Sequence, residues 1–466
     1  MCKVEDDVLD SYGGGIVSQN GLGARDAWDL LVAHSIIPHA RMTELAQKQD
    51  RLIFERGDGI YLVDSDGKEY LDALGGIYCL NVGYGNRRVI SAIKEQASKL
   101  QFMYYGCGLT EASAELYVRL GTIAPGSLSR VLLTTTGADA NEAALKIARG
   151  YHQGANRATV ISLVGGFHGN TYGTTPVTGN DYYNEVIEPN IGSHALHIPP
   201  PNCYRCHYNL TYPECKVLCA TMLEDKIQEV GSRVAAFVAE PILAQGGVII
   251  PPEEYWPIAR KICEHYGVLL VLDEIVTGLG RTGELFGCQQ WGIVPDILTV
   301  GKGLASMYQL ISAVITTDKV FDALKDSNTV RHSHTGSGHP ISCAAAVANI
   351  EETLERDLTG NAKERGNQLL EELQRELSGC RIVGDIRGMG LLCGVEVVKS
   401  KTTRERFPNG IRQTIVEACK AEGLLVTVSG YNSDTIILSP PLTITEGQIA
   451  DVSRSLVAAV RRVSDV

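Results

Sequence analysis

The sequence predicts an α/β protein: a large domain around a mostly parallel sheet, with a smaller α+β domain built from both chain ends. Two patterns carry this. Through the middle of the chain, apolar β-branched runs alternate with helical stretches, the order expected of strands joined by crossover helices. Those runs are continuously apolar, as in strands covered on both faces. The chain ends read differently, with short strands punctuated by Asp-Gly turns.

The central series opens with RVLLTT (130–135), followed by the helical ANEAALKIARGYHQ (140–153). ATVISLV (158–164) and VAAFVAEPI (234–242) are the next strands, and YWPIARKICEHYG (255–267) the next helix. VLLVLDEI (268–275), DILTVG (296–301) and SAVITT (312–317) complete the set. Over 57–74, GDGIYLVDSDGKEYLDAL reads as a meander. Residues 340–378 read as one long amphipathic helix, after which GDIRGMGLLCGVEVV and DTIILSPPL supply β-runs. The expected division is an arm over 1–30, the first part of the small domain over 31–75, the large domain over 76–340, and the rest of the small domain over 341–466. No internal repeat or low-complexity segment interrupts it.

The chain has 466 residues, room for a large core or two to three domains. A formal net charge of -12 with no Lys/Arg block argues against nucleic acid as the partner. No apolar run approaches the roughly 20 residues of a membrane-spanning helix. The start, MCKVEDDVLDSYGGG, is acidic where secretory and mitochondrial signals are basic, so a cytoplasmic protein is expected. Thirteen scattered cysteines fit reduced thiols better than a disulfide framework. One cluster stands apart: CYRCHYNLTYPECKVLC, with Cys203, Cys206, Cys215, Cys219 and His207. Its spacing is compatible with zinc. Its intervals are not those of a familiar ribbon, so the reading here is loop thiols, with no metal assigned.

Three features sit where α/β folds place ligand sites, at the C-terminal ends of strands. After the strand 130–135, Gly137 and Ala138 open a helix, offering bare N–H groups and a positive dipole end to a phosphate. Asp139 and Asn141 read equally well as plain caps. Asp273 ends an apolar strand, where a carboxylate needs a partner; a salt bridge to Arg281 is the structural alternative. Lys302 ends the next strand between two glycines. A phosphate cradle, a buried aspartate and a lysine on one face suggest a pyridoxal phosphate site. There the lysine forms a Schiff base and the aspartate keeps the pyridine nitrogen protonated. GGFHG (165–169) adds an aromatic, Phe167, that can lie over the ring.

With these residues in view, the chain resembles the class III (subgroup II) pyridoxal-phosphate aminotransferases, of aspartate-aminotransferase-like fold type I. TTTGADANEAALKIAR, FHG, AEPI, LDEIVTGLGRTG, GKGL, HTGSGHP and SPPLTIT occur in the family's order between about residues 40 and 460. The resemblance implies that Lys302 is the Schiff-base lysine and proton shuttle, and that Asp273 binds the pyridine nitrogen. Val276 would pack on the ring face opposite Phe167. Gly137 and Ala138 would hold the phosphate, with His168 and Glu240 also in the cofactor-binding set. Thr335 would reach the phosphate of a neighbouring subunit, implying a homodimer with active sites at the interface. Asp139 stands where the family has glutamate.

The implied activity is transfer of an amino group from an amine or amino acid to an oxo acid or carbonyl acceptor by a ping-pong mechanism. The alternative is a decarboxylating transaminase or amino acid racemase of the same family. GGIYCLNVGYG (75–85) resembles the ω-amino acid and amine–pyruvate enzymes, and puts Tyr78 at their substrate-pocket aromatic. The C-terminal motifs look more like 2,2-dialkylglycine decarboxylase, whose pocket glutamine aligns with Ile77. Ile437 stands where several members carry a carboxylate-binding arginine, and Thr427 near where the amine–pyruvate enzymes carry another. With no such arginine, a less acidic donor is expected, or a substitute cation such as Arg331 or His332. Glu240, left without that arginine, becomes available to a second amine on the substrate.

Overall fold

The apolar runs assemble into one seven-stranded sheet. The computed structural model describes residues 24–38, 42–47, 52–153, 155–185, 194–326, 330–407, 411–430 and 434–464. The sheet comprises β1 (Leu128–Thr134), β2 (Thr159–Leu163), β3 (Ala195–Ile198), β4 (Val234–Ala239), β5 (Leu269–Asp273), β6 (Ile297–Val300) and β7 (Ser312–Thr317). Their order across the sheet is β1-β7-β6-β5-β4-β2-β3. The pairs from β3 through to β6 are parallel, and only β7 runs against its neighbours.

The central strands are largely apolar because both faces of the sheet are packed into cores. Ala140, Ala144 and Ile147 of the helix Gly137–Tyr151 pack with Val160, Val238, Val271 and Ile297. The alternate strand positions Ile161, Phe237, Leu270, Leu272 and Leu298 belong to the other, larger core cluster. Period-2 side-chain geometry thus sends neighbouring residues of one strand into two cores. Each such side chain contributes roughly 1.5–3 kcal/mol when fully buried.

A second sheet is antiparallel: β8 (Val383–Met389), β9 (Leu392–Val397), β10 (Thr427–Ser429) and β11 (Thr435–Leu438), ordered β8-β9-β11-β10. Leu424 and Leu425 pair in parallel with Leu71 and Asp72, joining distant parts of the chain. The long helix expected over 340–378 is two helices, Pro340–Glu355 and Leu358–Leu377. Asp357 separates them: its backbone is left-handed (φ 45°), and its side chain accepts the Gly360 N–H to cap the second helix.

The chain divides into two units. The smaller holds residues 1–57 and 62–69, with helices Ala24–His34 and Met42–Gln47. Within it, Asp64 Oδ1 accepts the N–H groups of Asp66 and Lys68 at 3.0 and 2.9 Å, closing one Asp-Gly turn. The larger holds 58–61 and 70–466, including both sheets just named. Most of the expected N-terminal arm, residues 1–23, lies outside the described residues. No helix among the described residues is long and apolar enough to cross a membrane.

Candidate active site

The C-terminal ends of the parallel strands open onto a cavity of about 260 Å³. Lys302, Asp273, Gly137, Ala138, Phe167, His168, Glu240, Val276 and Tyr78 all line it.

Lys302 follows β6 in a left-handed conformation (φ 40°), and its flanking glycines are there for space. A Cβ on Gly303 would lie 2.3 Å from Asn81 Nδ2, and one on Gly301 3.0 Å from Ile275 Cδ1. Asn81 is itself fixed, donating to the Leu279 carbonyl at 2.8 Å and accepting from Arg281 at 2.9 Å. Gly303→Ala is therefore expected to lower stability by about 1–3 kcal/mol through overpacking. Thermal unfolding checks this, and an unchanged Tm would show that Asn81 can give way. Lys302 Nζ lies 5.2 Å from the centroid of the Tyr78 ring. Burial lowers its pKa, opposed in part by Cys79, Asp273 and Glu240, which favours a neutral, nucleophilic amine.

Asp273 is 3% exposed at the end of β5. Its Oδ2 accepts from Asn141 Nδ2 at 2.7 Å and faces His168 Nδ1 at 2.8 Å, while Oδ1 accepts from the Ile275 N–H at 3.0 Å. Burial pulls the His168 pKa down, but the hydrogen bond to Asp273 and its charge outweigh that and leave it raised. Arg281 is not the partner of Asp273. Fully buried, it donates instead to the carbonyls of Leu391 and Pro440 and to Asn81. Asn141, read from sequence as a plain cap, also donates to the His168 carbonyl at 2.8 Å and accepts from Thr299 Oγ1 at 2.8 Å. It sits one helical turn after Gly137, and that spacing was the available signal.

At the head of its helix, Thr136 Oγ1 accepts the Asp139 N–H at 3.2 Å. The N–H groups of Gly137 and Ala138 have no intrahelical acceptor. A Cβ on Gly137 would meet the Ile275 side chain at 3.1 Å, so the backbone itself forms the cavity wall. Asp139 accepts from the Thr135 N–H at 2.7 Å and meets His332 and His334 at 2.5 and 2.6 Å, turned away from the cavity lining.

Leading into the cavity residue Tyr78, Gly75, Gly76, Ile77 and Tyr78 form four consecutive left-handed residues, with φ of 56, 58, 75 and 66°. Such a run costs on the order of 1–3 kcal/mol at each non-glycine position and marks sites where geometry is imposed. Here Asp72 imposes it, accepting the N–H groups of Leu74 and Gly76 at 3.0 and 2.9 Å. The run turns Tyr78 inward and leaves Ile77 50% exposed, outside the lining. Glu240 Oε1 accepts the Phe167 N–H at 3.0 Å and Oε2 the Ala244 N–H at 3.1 Å. Burial pushes its carboxyl up to about 7. Ile437 lies fully buried in an apolar cluster with Tyr78 and Val276, behind the cavity lining, so the place of the absent arginine is apolar.

Arg331 opens onto a different cavity with Met103, Tyr105 and His332, and Thr335 is exposed outside both. Sequence reasoning also did not single out Gln245, Met307, Leu310 and Ile311, which line the cavity too. The last three lie in a loop whose inward face no periodicity announces.

Three comparisons converge. The family model for class-III aminotransferases matches residues 44–460. The putrescine–pyruvate aminotransferase of Pseudomonas aeruginosa is 35% identical over 427 residues, 90% of this chain and 92% of that one. An (S)-enantioselective ω-transaminase from Thermomicrobium roseum superposes with a TM-score of 0.90 at 34% identity, covering 95% of this chain and 99% of that one. The ω-transaminase of Pseudomonas jessenii in complex with PMP gives a TM-score of 0.90 at 30% identity, covering 94% and 98%. The geometry and the comparisons agree: this chain belongs to the class III aminotransferases, and is an enzyme that moves an amino group from an amine or amino acid donor to an oxo acceptor.

Proposed function

We propose that the cavity binds pyridoxal 5'-phosphate and that the donor is an amine with an apolar body. The observation that carries this is the convergence, in one cavity, of a lysine with a lowered pKa, an ionisable carboxylate held by three donors, and a bare helix start. Each matches one part of that cofactor: the amine holds the aldehyde, the carboxylate the ring nitrogen, the Gly137 and Ala138 N–H groups the phosphate. Phe167 and Val276 are suited to clasp the ring. The cofactor supplies an electron sink that lets a C–H bond next to nitrogen break. Lys302 Nζ then takes the proton and returns it, which its lowered pKa suits. Asn141, His168 and the Ile275 N–H fix the Asp273 side chain in place.

Treatment with borohydride is expected to remove the visible absorbance and leave the cofactor mass on the peptide carrying Lys302. Attachment at another lysine overturns the assignment. The apolar Ile437 in place of an arginine and the lining by Tyr78, Met307, Leu310 and Ile311 disfavour a substrate carboxylate and suit methylene groups. Each Glu240 oxygen keeps one lone pair after its backbone bond, enough to accept a second substrate ammonium. Glu240→Gln is expected to raise KM for a diamine about tenfold, the equivalent of roughly 1.4 kcal/mol, with a monoamine unaffected. Equal changes for both would remove Glu240 from substrate recognition. The working unit proposed is a homodimer, with Thr335 of each copy directed to its neighbour's phosphate.

A further inference from the structure

Away from the amino-transfer cavity, the four cysteines of CYRCHYNLTYPECKVLC converge. Cys203, Cys206, Cys215 and Cys219 line one small cavity together with His207, Tyr208 and three prolines, sharing no residue with the amino-transfer site. Its volume is about 20 Å³, space for a single atom or water and for no organic ligand. All four are free thiols. We propose that Cys203, Cys206, Cys215 and Cys219 bind one zinc ion as four thiolates, in a structural site.

The local chain suits this. Cys203 and Cys206 stand on a turn soon after β3, and Cys219 lies in the first turn of the helix Leu218–Val230, where the dipole favours a thiolate. Between Cys215 and Cys219, Lys216 and Val217 are consecutive left-handed residues (φ 49 and 53°), a conformation costly for a β-branched side chain. Four thiolates cannot share that space without a cation, and a dication inverts the balance. Tyr255 is fully buried, its hydroxyl has no hydrogen-bond partner among the described residues, and after burial Cys219 is the largest electrostatic influence on it. An O–H donor beside a ligand sulfur is the outer-shell partner such sites use.

All-sulfur donors select zinc over magnesium or calcium, which require oxygen. Only one trio of His, Cys, Asp or Glu ligand atoms among the described residues lies within 4.8 Å, and it is Asp139, His332 and His334. That trio is closed by its own hydrogen bonds, and Lys146 Nζ stands 3.0 Å from His332 Nδ1, a poor neighbour for a cation. The four sulfurs stand wider apart than that trio, so the proposed site requires side-chain rotation to bring them to Zn–S distances of about 2.3 Å. Binding forms four Zn–S bonds and releases four thiol protons to solvent, with no redox change. Zinc then staples the 203–219 segment to the start of the helix.

Metal content of the purified, cofactor-loaded chain tests this. About one zinc per chain is expected, falling below about a tenth in Cys203→Ser/Cys206→Ser while cofactor content is retained. Should that variant fail to fold, cobalt(II) exchanged into the wild-type protein decides, through the ligand-field bands of a tetrahedral thiolate site at wavelengths beyond the cofactor's absorbance. Zinc below about a tenth per chain with no cobalt bands in reduced protein overturns the proposal, as does zinc unchanged in the variant. Iron with acid-labile sulfide in place of zinc, or two disulfides in the unreduced protein, also overturns it.

Discussion

Lys302→Ala is expected to lower amino transfer by about 10⁴-fold or more, because one substitution removes both the amine that holds the cofactor and the group that moves the proton. No neighbour can replace it at neutral pH. The Tyr78 hydroxyl is held protonated, its pKa raised by burial and by Glu240. The Cys79 thiol is pushed up to about 11 by burial. Asp273 is committed to Asn141 and His168. Structure should survive, since the change removes a buried amine while the two space-limited glycines stay in place. The measurement is kcat with saturating added cofactor, alongside Tm. Turnover within tenfold of wild type at an unchanged Tm would end the assignment of Lys302. Lys302→Arg separates charge from nucleophilicity: it retains a cation that does not deprotonate, and is expected to be as inactive as the alanine variant.

Much of this site is legible before folding because strand ends are. The apolar runs ending at Asp273 and just before Lys302 are continuous, so each polar residue that breaks them stands at the same sheet edge. What the sequence hides is of two physical kinds. One is backbone handedness: Ile77 and Tyr78 are adjacent and apolar, and only the left-handed run held by Asp72 decides that Tyr78 faces the cavity and Ile77 the solvent. The same cause splits the helix expected over 340–378, since the apolar period continues through Asp357. The other is choice among partners. Asn141 looks like a cap and Arg281 like a counter-ion. Yet Asn141 reaches across to β5, and Arg281 satisfies itself on backbone carbonyls. Composition and spacing carry no information about which of several competent acceptors a side chain will meet.

Asp273→Asn is expected to lower kcat by about 10²–10⁴-fold, and the size of the loss separates charge from position. The substitution keeps shape and removes the negative charge. It also disturbs a network made only of donors: Asn141 Nδ2 and His168 Nδ1 on one oxygen, the Ile275 N–H on the other. Whichever way the new amide turns, its NH2 meets a donor, a loss of about 1–3 kcal/mol in stability. Asn141→Ala supplies the contrast, because it deletes one hydrogen bond and leaves the charge. If the charge is what matters, Asn141→Ala costs about tenfold in kcat and Asp273→Asn far more. Comparable losses would mean that Asp273 serves only to position its neighbours. A pH series gives an independent readout. The raised pKa of His168 stabilises the fold at low pH, and that contribution fades as pH rises through the folded-state value. Without the carboxylate, burial, the largest influence on His168, is opposed only by the charge of Glu240, so the contribution from Asp273 is lost. As pH is raised from about 6.5, the ordinary histidine value, through the higher folded-state value, the wild-type Tm should therefore lose a contribution that Asp273→Asn never had, narrowing the gap between the two proteins. A gap that is constant across that range would show that the His168–Asp273 pair is not ionised in the folded enzyme.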